Sequence, residues 1–356
     1  MLELPGLIDP HVHLREPGQA HKEDFDTGTQ AALAGGFTAV LAMPNTDPPL
    51  IDSSNLGQAR SAAQAKARCD YGLFLGAGER NTEHAAELAS QVCGLKVYMD
   101  HTYGPLRMRA LPALMEHFKR WPGSNPIACH AEGHSLAVVL ALAHLIERRI
   151  HICHVSKAVE IQLIRMAKAR GTAVTCEVTP HHLFLTEEDI PALGIGKSEV
   201  RPRLATPDDV ATLWASLNVI DCFATDHAPH TAQEKEGDDP PPGFPGLETA
   251  LSLMLGAVHE GRLSLDDLLI RMHTNPQRIY DLPPQQDTRI EVEEEHIWEV
   301  RAAKLHSRCG WNPFEGMKLR GRVRRVHLRS QLAYSDGEVR VPPGYGRDLI
   351  SAPVPA

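Results

Sequence analysis

The chain is poor in aromatic residues and carries no excess of positive charge. Aromatic residues make up 5% of its 356 residues, and 45 acidic residues outnumber 36 basic ones, for a formal net charge of -9. Surfaces that bind nucleic acids are typically basic and often stack bases on aromatic rings. The composition therefore argues against a nucleic-acid-binding protein, although an acidic chain can still hold a local site for a small anion.

Long apolar runs and regularly spaced cysteines are also missing. No stretch reaches the roughly 20 residues that cross a bilayer, and Met1 is not followed by a signal-peptide pattern. The seven cysteines are scattered and odd in number, and several lie in apolar runs, as is typical of reduced, buried thiols. These features predict a cytoplasmic protein without membrane contacts.

Short apolar runs alternate with longer segments of helical composition over most of the chain. Such alternation predicts parallel strands joined by helices, and eight repeats of the unit predict a (β/α)₈ TIM barrel, assigned to residues 1–286. Alternating acidic and apolar residues and an Asp336-Gly337 turn follow. They predict a small β-rich C-terminal appendage, residues 287–356, packed on the barrel. The eight predicted strands are residues 4–13, 38–44, 71–76, 94–98, 126–131, 150–155, 173–178 and 219–225.

Polar residues mark the ends of nearly all these runs. Barrel enzymes carry their chemistry at the carboxyl ends of the strands, where the loops face one opening. One or two such residues could be ordinary core residues, but so many on one side indicate an active site. They are His11, His13, Asn45, Glu79, His130, His154, Glu177, His181, His182 and Asp226, with Lys96 inside the fourth run.

Five of these residues form a set suited to a divalent metal. In a strand, residues i and i+2 share a face, so His11 and His13 aim their rings at one point. Imidazole and carboxylate ligands suit zinc, and a catalytic site keeps one position for water. His130, His154 and Asp226 add more ligands than one catalytic ion needs. The set therefore predicts two ions.

Lys96 is unexpected in an apolar strand that points to a cationic site. Its ammonium group would be repelled by both ions and penalised by desolvation. Addition of CO₂ to the neutral amine gives a carbamate, an anion whose two oxygens could bridge two metals. A strand lysine more commonly extends to solvent. We expect the carbamate because neighbouring strands bring metal ligands to the same rim.

Several motifs resemble the dihydroorotase branch of the amidohydrolase superfamily. The likeness runs from end to end and extends to the dihydroorotase domains of animal multifunctional pyrimidine-synthesis proteins. The motifs are His11-Val12-His13-Leu14-Arg15-Glu16-Pro17-Gly18, Ala42-Met43-Pro44-Asn45-Thr46, Gly94-Leu95-Lys96, His130-Ala131-Glu132, His151-Ile152-Cys153-His154, Ala224-Thr225-Asp226-His227-Ala228-Pro229-His230, Trp311-Asn312-Pro313-Phe314-Glu315-Gly316 and residues 240–248 and 341–346.

The resemblance implies a zinc-dependent, reversible cyclisation of N-carbamoyl-L-aspartate to L-dihydroorotate and water, a step in the synthesis of UMP. Asp226 would be the general acid and base. The family pattern implies two zinc ions per chain. Their ligands would be His11, His13, carboxylated Lys96 and Asp226 for the more buried ion, and carboxylated Lys96, His130 and His154 for the other.

The resemblance also implies the substrate contacts. Arg15, Asn45 and His230 would bind the substrate carboxylate, and the planar fork of an arginine suits that group. The backbone near Pro242 and Gly243 would contact the ring amide.

Three further positions leave alternatives open. Arg201 could contact the substrate or form an ordinary surface ion pair. Thr102 and Tyr103 resemble the family's mobile loop, where Thr102 would reach the substrate and Tyr103 would exclude water, but a passive surface loop is the other interpretation. The family more often has phenylalanine at the position of Tyr103.

A third metal site is a weaker hypothesis. Cys153, Glu177 and His182 could bind an ion close to the other two. A reduced core cysteine and a glutamate that supports the ligands is the interpretation that the sequence alone favours.

Two rival functions remain. Dihydropyrimidinases and allantoinases share the barrel and the ligands, but Arg15 and Asn45 favour a substrate with a carboxylate. A non-catalytic assembly module would lack several metal ligands, and here all are present. The resemblance further implies a homodimer that is covalently linked to carbamoyl-phosphate synthetase and aspartate transcarbamoylase domains.

Overall fold

A computed structural model describes residues 1–123 and 125–350. No helix in this part of the chain is both long enough and apolar enough to cross a membrane. The strands are β1 Leu2–Pro5, β2 Leu7–Val12, β3 Phe37–Ala42, β4 Asp70–Gly76, β5 Gly94–Tyr98, β6 Ile127–His130, β7 Ile150–Ile152, β8 Val174–Val178, β9 Cys222–Phe223, β10 Arg289–Glu299, β11 Lys318–Leu328, β12 Gln331–Ser335 and β13 Glu338–Val339.

The helices lie mainly between the strands of the first sheet. Short 3₁₀ turns and one π-helical turn, Ile270–Thr274, complete the regular structure. The helices are α1 Phe25–Ala34, α2 Ser53–Lys66, α3 Thr82–Glu87, α4 Leu111–Arg120, α5 His134–Leu145, α6 Ala158–Ala169, α7 Pro180–Phe184, α8 Ile190–Leu193, α9 Pro207–Ala215, α10 Ala232–Lys235, α11 Leu247–His259, α12 Leu265–Leu269 and α13 Asn275–Ile279.

Eight parallel strands form the barrel, in the order β2 to β9 along both the chain and the sheet. A parallel bridge between Val12 and His227 returns from the last strand to the first. The strands read as continuous apolar runs because one face meets the helices and the other fills the barrel. The predicted (β/α)₈ barrel is confirmed.

The first predicted strand, residues 4–13, is divided between two sheets. β1 pairs antiparallel with β10, while β2 enters the barrel. The division falls at Gly6, where an added Cβ would lie 2.2 Å from Thr38 Oγ1, so the chain needs a glycine to pass this point. An apolar run indicates that a segment is buried but not which sheet the segment joins. The prediction of a single strand over residues 4–13 was therefore wrong.

The second sheet is five-stranded, in the order β1-β10-β11-β12-β13. It packs on the barrel through helix α11, as β11 is the strand with which α11 makes its main contacts. The sheet lies within the predicted C-terminal appendage except for β1, which comes from the other end of the chain. The predicted boundary between residues 286 and 287 stays a prediction, and residues 351–356 lie outside the described part. All seven cysteines are buried and free of disulfides, as predicted.

Glu248 joins the barrel to the segment that follows β10. Its carboxylate lies 3.0 Å from His306 Nδ1 and also accepts from the backbone N–H of His306 and Ser307. His306 Nε2 lies 3.1 Å from the Gly337 carbonyl oxygen. The hydrogen bond to Glu248 raises the pKa of His306, and partial burial opposes the shift.

This pair should make stability depend on pH. A raised folded-state pKa means that the stabilisation is fully present below the unfolded pKa of about 6.5 and is lost as pH rises through the folded-state value. We expect His306→Gln to lower the free energy of unfolding by about 1 kcal/mol at pH 5.5 and by less at pH 8.5. Urea unfolding of both proteins at the two pH values measures this, and an equal loss at both would contradict it.

Candidate active site

The strand ends of the barrel bring the predicted residues to one polar pocket. β2 supplies His11, and the residue directly after this strand is His13. β6 ends at His130, and the segments just after β7 and β9 supply His154 and Asp226. All five are nearly inaccessible to solvent. The predicted residues that line the pocket are His11, His13, Arg15, Asn45, Thr102, Tyr103, His130, His154, Arg201, Asp226, Pro242 and Gly243.

His11, His13 and Asp226 form the first ligand group. Asp226 Oδ1 lies 3.2 Å from His11 Nε2 and 2.9 Å from His13 Nε2. Burial acts to raise the pKa of Asp226, but His11 and His13 outweigh it and hold that pKa well below its ordinary value. Burial lowers the pKa of His13 to about 4. A divalent metal binds the carboxylate form of aspartate and the neutral form of histidine, and the low pKa values of Asp226 and His13 favour these forms.

Hydrogen bonds on the far side of each ring fix which nitrogen faces the pocket. His11 Nδ1 lies 2.5 Å from Glu177 Oε1, and His13 Nδ1 lies 2.6 Å from Asn45 Oδ1. Because both acceptors are oxygens, each Nδ1 is the donor in these contacts, and each Nε2 is the nitrogen that faces Asp226 and the pocket. Metal-binding histidines are typically held in this way.

His130 and His154 form a second group. His130 Nδ1 lies 3.0 Å from His154 Nε2, and His154 Nδ1 is buried with no hydrogen-bond partner among the described residues. Burial, together with the nearby His130, lowers the pKa of His154 well below its ordinary value. Two imidazole nitrogens that face each other inside the protein fit two ligands of one ion.

Three pocket residues have left-handed backbone conformations that non-glycine residues rarely adopt. The φ angles are 60° at Arg15, 37° at His154 and 46° at Asp226. Each such residue costs on the order of 1–3 kcal/mol and persists where the surrounding structure imposes it. All three lie two or three residues after the end of a barrel strand, which indicates that the barrel fixes their side chains at a cost in backbone conformational energy.

Lys96 is fully buried in β5. Its described hydrogen bond is with Cys153 Sγ at 2.9 Å, and the Tyr98 ring centroid lies 5.1 Å from Nζ. No ion pair joins it to a carboxylate in the described part of the chain. A buried ammonium group without an anion is unfavourable, so this environment fits an uncharged amine or its carbamate.

Cys153 and Glu177 lie beside the first ligand group. The ligand atoms of His11, Cys153 and Glu177 all lie within 4.8 Å of one another. Glu177 already has partners, because Oε2 lies 3.0 Å from His151 Nε2 and Oε1 contacts His11. His182 is not part of this group, since its Nε2 lies 3.0 Å from the Pro202 carbonyl oxygen. The arrangement favours a glutamate that orients His11.

Arg15 occupies the mouth of the pocket with one nitrogen unused. Its Nε donates to the Pro229 carbonyl at 3.0 Å and Nη2 lies 2.9 Å from His230 Nε2, while Nη1 is buried without a partner among the described residues. Burial lowers the pKa of Arg15 to about 10, which keeps it cationic at neutral pH. A buried arginine with a free donor beside Asn45 fits an anionic ligand group.

The loop after β5 covers this mouth. The Tyr103 hydroxyl accepts from Gln19 Nε2 and Lys22 Nζ, both at 2.9 Å, and Asn45 Nδ2 donates to the Tyr103 carbonyl at 3.2 Å. Thr102 lines the pocket. The hydroxyl that distinguishes Tyr103 from phenylalanine is therefore used to fasten the loop.

The opposite wall of the pocket is backbone. Gly243 has φ 147°, and a Cβ there would lie 2.5 Å from the Ala228 carbonyl oxygen. The Gly243 N–H donates to the Glu199 carbonyl at 3.0 Å, and the Pro242 carbonyl lies 3.1 Å from His230 Nε2. Arg201 lines the pocket and pairs with Glu199 Oε2 at 2.6 Å. Both alternatives for Arg201 are thus compatible with its position.

Sequence reasoning missed three residues that support this site. Gln19, Lys22 and Lys235 are buried or half-buried polar residues around the loop and the backbone wall. Each stands in a polar, charged stretch that reads as a solvated surface. Nothing in such a stretch marks a buried lysine.

Comparison with known proteins places the chain in a family. The model of the amidohydrolase family matches residues 3–283. The chain belongs to the amidohydrolase family. It is 34% identical to a dihydroorotase of Pyrococcus furiosus over 94% of this chain and 82% of that protein. Within the amidohydrolase family it therefore belongs with the dihydroorotases.

Longer proteins match it at higher identity. The chain is 52% identical over 354 residues to the multifunctional protein CAD of Squalus acanthias. The match covers 99% of this amidohydrolase but 16% of that protein. The chain thus spans about a sixth of the length of the multifunctional relative.

Two solved structures share the fold. An L-hydantoinase (dihydropyrimidinase) from Arthrobacter aurescens has a TM-score of 0.93 over 98% of this chain and 88% of its own, at 24% identity. The inactive dihydroorotase-like domain of a Chaetomium thermophilum CAD-like protein has a TM-score of 0.84 over 98% and 99%, at 31% identity. At these values the hydantoinase supports the fold alone, and the second structure shows that a close fold does not guarantee activity.

The ligand groups make a prediction about metal content. We expect the zinc-loaded protein to bind two zinc ions per chain, and Cys153→Ser to leave that number unchanged because Glu177 is already occupied by His11 and His151. His154→Ala should bind less zinc. Elemental analysis of the desalted proteins measures the ratio. A ratio of three that falls to two in Cys153→Ser would contradict the prediction and establish a third ion.

Proposed function

We propose that the chain is a zinc-dependent dihydroorotase that interconverts N-carbamoyl-L-aspartate and L-dihydroorotate plus water. The observation that carries the proposal is the buried Nη1 of Arg15, which has no hydrogen-bond partner among the described residues and lies in the same pocket as the ligand groups. Both compounds keep a carboxylate throughout the reaction. Arg15, with Asn45 and His230, would hold that group and so place the reacting bond against the metal ligands.

The residues present fit the metal centre that the family implies. His11, His13 and Asp226 would hold one ion, His130 and His154 the other, and the carbamate of Lys96 would bridge them. Two zinc ions in this place would polarise the attacked carbonyl and lower the pKa of water.

Asp226 would carry the proton. In the biosynthetic direction its carboxylate takes a proton from the carbamoyl nitrogen as that nitrogen attacks the carboxylate carbon. This proton and one from solvent leave with the departing oxygen as water. In hydrolysis the carboxyl group of Asp226 returns the proton to the ring nitrogen, because one group must serve both directions. His13 and His11 fix its position through their contacts with Oδ1.

The loop that carries Thr102 and Tyr103 would exclude water during cyclisation. Gln19 and Lys22 hold the Tyr103 hydroxyl, and Lys22 Nζ also lies 3.2 Å from His230 Nδ1. Closure of the loop would therefore be coupled to the residues that bind the carboxylate.

The two rival functions are less well supported. A dihydropyrimidinase or allantoinase acts on a ring that lacks this carboxylate. The buried charge of Arg15, which has no carboxylate partner in the described part of the chain, would then be costly. An inactive assembly module has no need of complementary ligands, and the presence of His11, His13, His130, His154 and Asp226 in one pocket supports catalysis, with Lys96 buried on β5 beside Cys153.

We also infer a homodimeric domain of a larger cytoplasmic protein. The free, buried cysteines fit a reducing compartment. Exposed apolar side chains lie on consecutive helices, Val138 and Leu145 on α5 and Val159 and Met166 on α6. Helix α5 contains no Asp, Glu, Lys or Arg, and an exposed apolar helix of this kind suits contact with an identical surface across a two-fold axis. Sedimentation of the chain, with and without a Leu145→Glu change, tests the dimer. The linked carbamoyl-phosphate synthetase and aspartate transcarbamoylase domains are inferred from the multifunctional relatives.

Replacement of Arg15 tests the proposed function. The zinc-loaded protein should turn over dihydroorotate but not dihydrouracil, hydantoin or allantoin. Arg15→Met should raise KM for dihydroorotate at least about 30-fold, since a charge-assisted pair is lost. Arg289→Met, on an exposed pair with Glu3, is the control and should behave as wild type. Turnover of an uncharged ring would point to the hydantoinases, and no turnover with zinc bound would favour the inactive module.

A further inference from the structure

Lys235 is a fully buried lysine that holds backbone rather than an acidic side chain. It ends helix α10, and none of its surface is exposed. Its Nζ donates to the carbonyl oxygens of Glu199 at 2.6 Å, Pro241 at 2.9 Å and Gly243 at 3.3 Å. Within the described residues no carboxylate pairs with it. The ammonium group therefore donates its hydrogen bonds to these three carbonyl oxygens.

Burial of this charge is expensive. Burial lowers the pKa of Lys235 to about 7, and Glu199 acts in the opposite sense. The rings of Phe244 and Trp311 lie 5.7 and 5.3 Å from Nζ and offset part of the cost. The Glu199 carboxylate, which could neutralise the charge, instead pairs with Arg201. An apolar residue at position 235 would avoid the cost of burying a charge. The hydrogen bonds that the ammonium group makes must therefore have a role of their own.

The three carbonyls belong to two segments that face the pocket. One segment leads from Glu199 to Arg201, and the other runs from Pro241 to Gly243. Arg201, Pro242 and Gly243 all line the pocket. The segments touch through one further hydrogen bond, from the Gly243 N–H to the Glu199 carbonyl at 3.0 Å. Lys235 thus joins two walls that are distant from each other in sequence.

The backbone polar groups at this wall are almost fully used. The Gly243 N–H and carbonyl point to Glu199 and Lys235, and proline has no N–H. The Pro242 carbonyl, 3.1 Å from His230 Nε2, keeps a second lone pair for a ligand. Its direction depends on the peptides on either side, whose carbonyls Lys235 holds.

We propose that Lys235 is a positioning residue that fixes the Pro242–Gly243 backbone and the Arg201 segment around the ring of the substrate. This inference rests on the proposed function, because the ring to be positioned is that of dihydroorotate. Lys235 does not touch the substrate. It would affect the binding of the substrate ring and not the binding of the substrate carboxylate.

The test separates ring binding from carboxylate binding. Lys235→Met keeps the length of the side chain and removes the charge, and Lys197→Met is the matched control, since Lys197 is a more exposed neighbour paired with Glu236. KM and kcat for dihydroorotate would be measured with inhibition by orotate, a ring carboxylate, and by succinate, a dicarboxylate without a ring. Thermal transitions and zinc content would be recorded for each protein.

We expect Lys235→Met to raise KM and the inhibition constant of orotate about tenfold or more, because charged hydrogen bonds that order the wall are lost. The inhibition constant of succinate and the zinc content should not change, kcat should change less than KM, and Lys197→Met should match wild type. Partial recovery of KM in Lys235→Gln, whose amide still donates two hydrogen bonds, would support the role.

Other results would overturn the inference. If wild type is active and Lys235→Met has the same KM and the same inhibition constant of orotate, the role of Lys235 is rejected and the proposed function stands. Equal weakening of orotate and succinate would reject a ring-specific effect. If neither Lys235→Met nor Lys235→Gln folds, Lys235 supports the whole fold and the positioning role is wrong. Wild type that binds zinc but does not turn over dihydroorotate would reject the proposed function itself.

Discussion

Burial of charged and polar groups at the strand ends is the constraint on which this structure depends. Asp226, Lys96 and four histidines are withdrawn from water at one end of the barrel. Each must be neutral, paired or bound to something, because an isolated buried charge costs several kcal/mol. Asp226 is compensated by His11 and His13, while Lys96 has a thiol and an aromatic ring beside it. Lys96 is therefore a buried basic group that has no carboxylate partner among the described residues. A carbamate on Lys96 that bridges two ions would replace the buried positive charge by an anion bound to metal.

The surroundings of the pocket follow the same logic. Arg15, Lys22 and Lys235 are buried cations at the mouth and wall, and each contacts a segment that would face the substrate. Lys22 contacts the loop through Tyr103, and Lys235 contacts the backbone of Gly243. Lys22 pairs with Glu234, whereas Arg15 and Lys235 have no carboxylate partner among the described residues, so part of the positive charge of an acidic chain is left uncompensated at this opening. Such a site attracts an anionic substrate without making the surface as a whole basic.

The barrel and the gathering of polar side chains at one end of it could be predicted because they depend on short-range rules. Strand periodicity puts His11 and His13 on one face, and parallel strands bring their carboxyl ends to one rim. Features that depend on contacts between distant parts of the chain could not be predicted. The run from residue 4 to residue 13 gave no sign that its first part pairs with β10, since the partner lies nearly 290 residues away. Lys235 looked solvated because its three acceptors are main-chain groups, which leave no mark in the sequence. The use of the Tyr103 hydroxyl was hidden for a related reason, as Gln19 and Lys22 belong to a distant loop.

The chemical state of Lys96 tests this account most directly. The protein would be loaded with zinc in buffer that contains ¹³C-bicarbonate, and its ¹³C spectrum compared with that of Lys96→Ala. The account predicts a carbamate resonance in wild type that is absent in the variant and disappears when the metal is removed. A wild-type protein that binds two zinc ions and turns over dihydroorotate without such a resonance would contradict it.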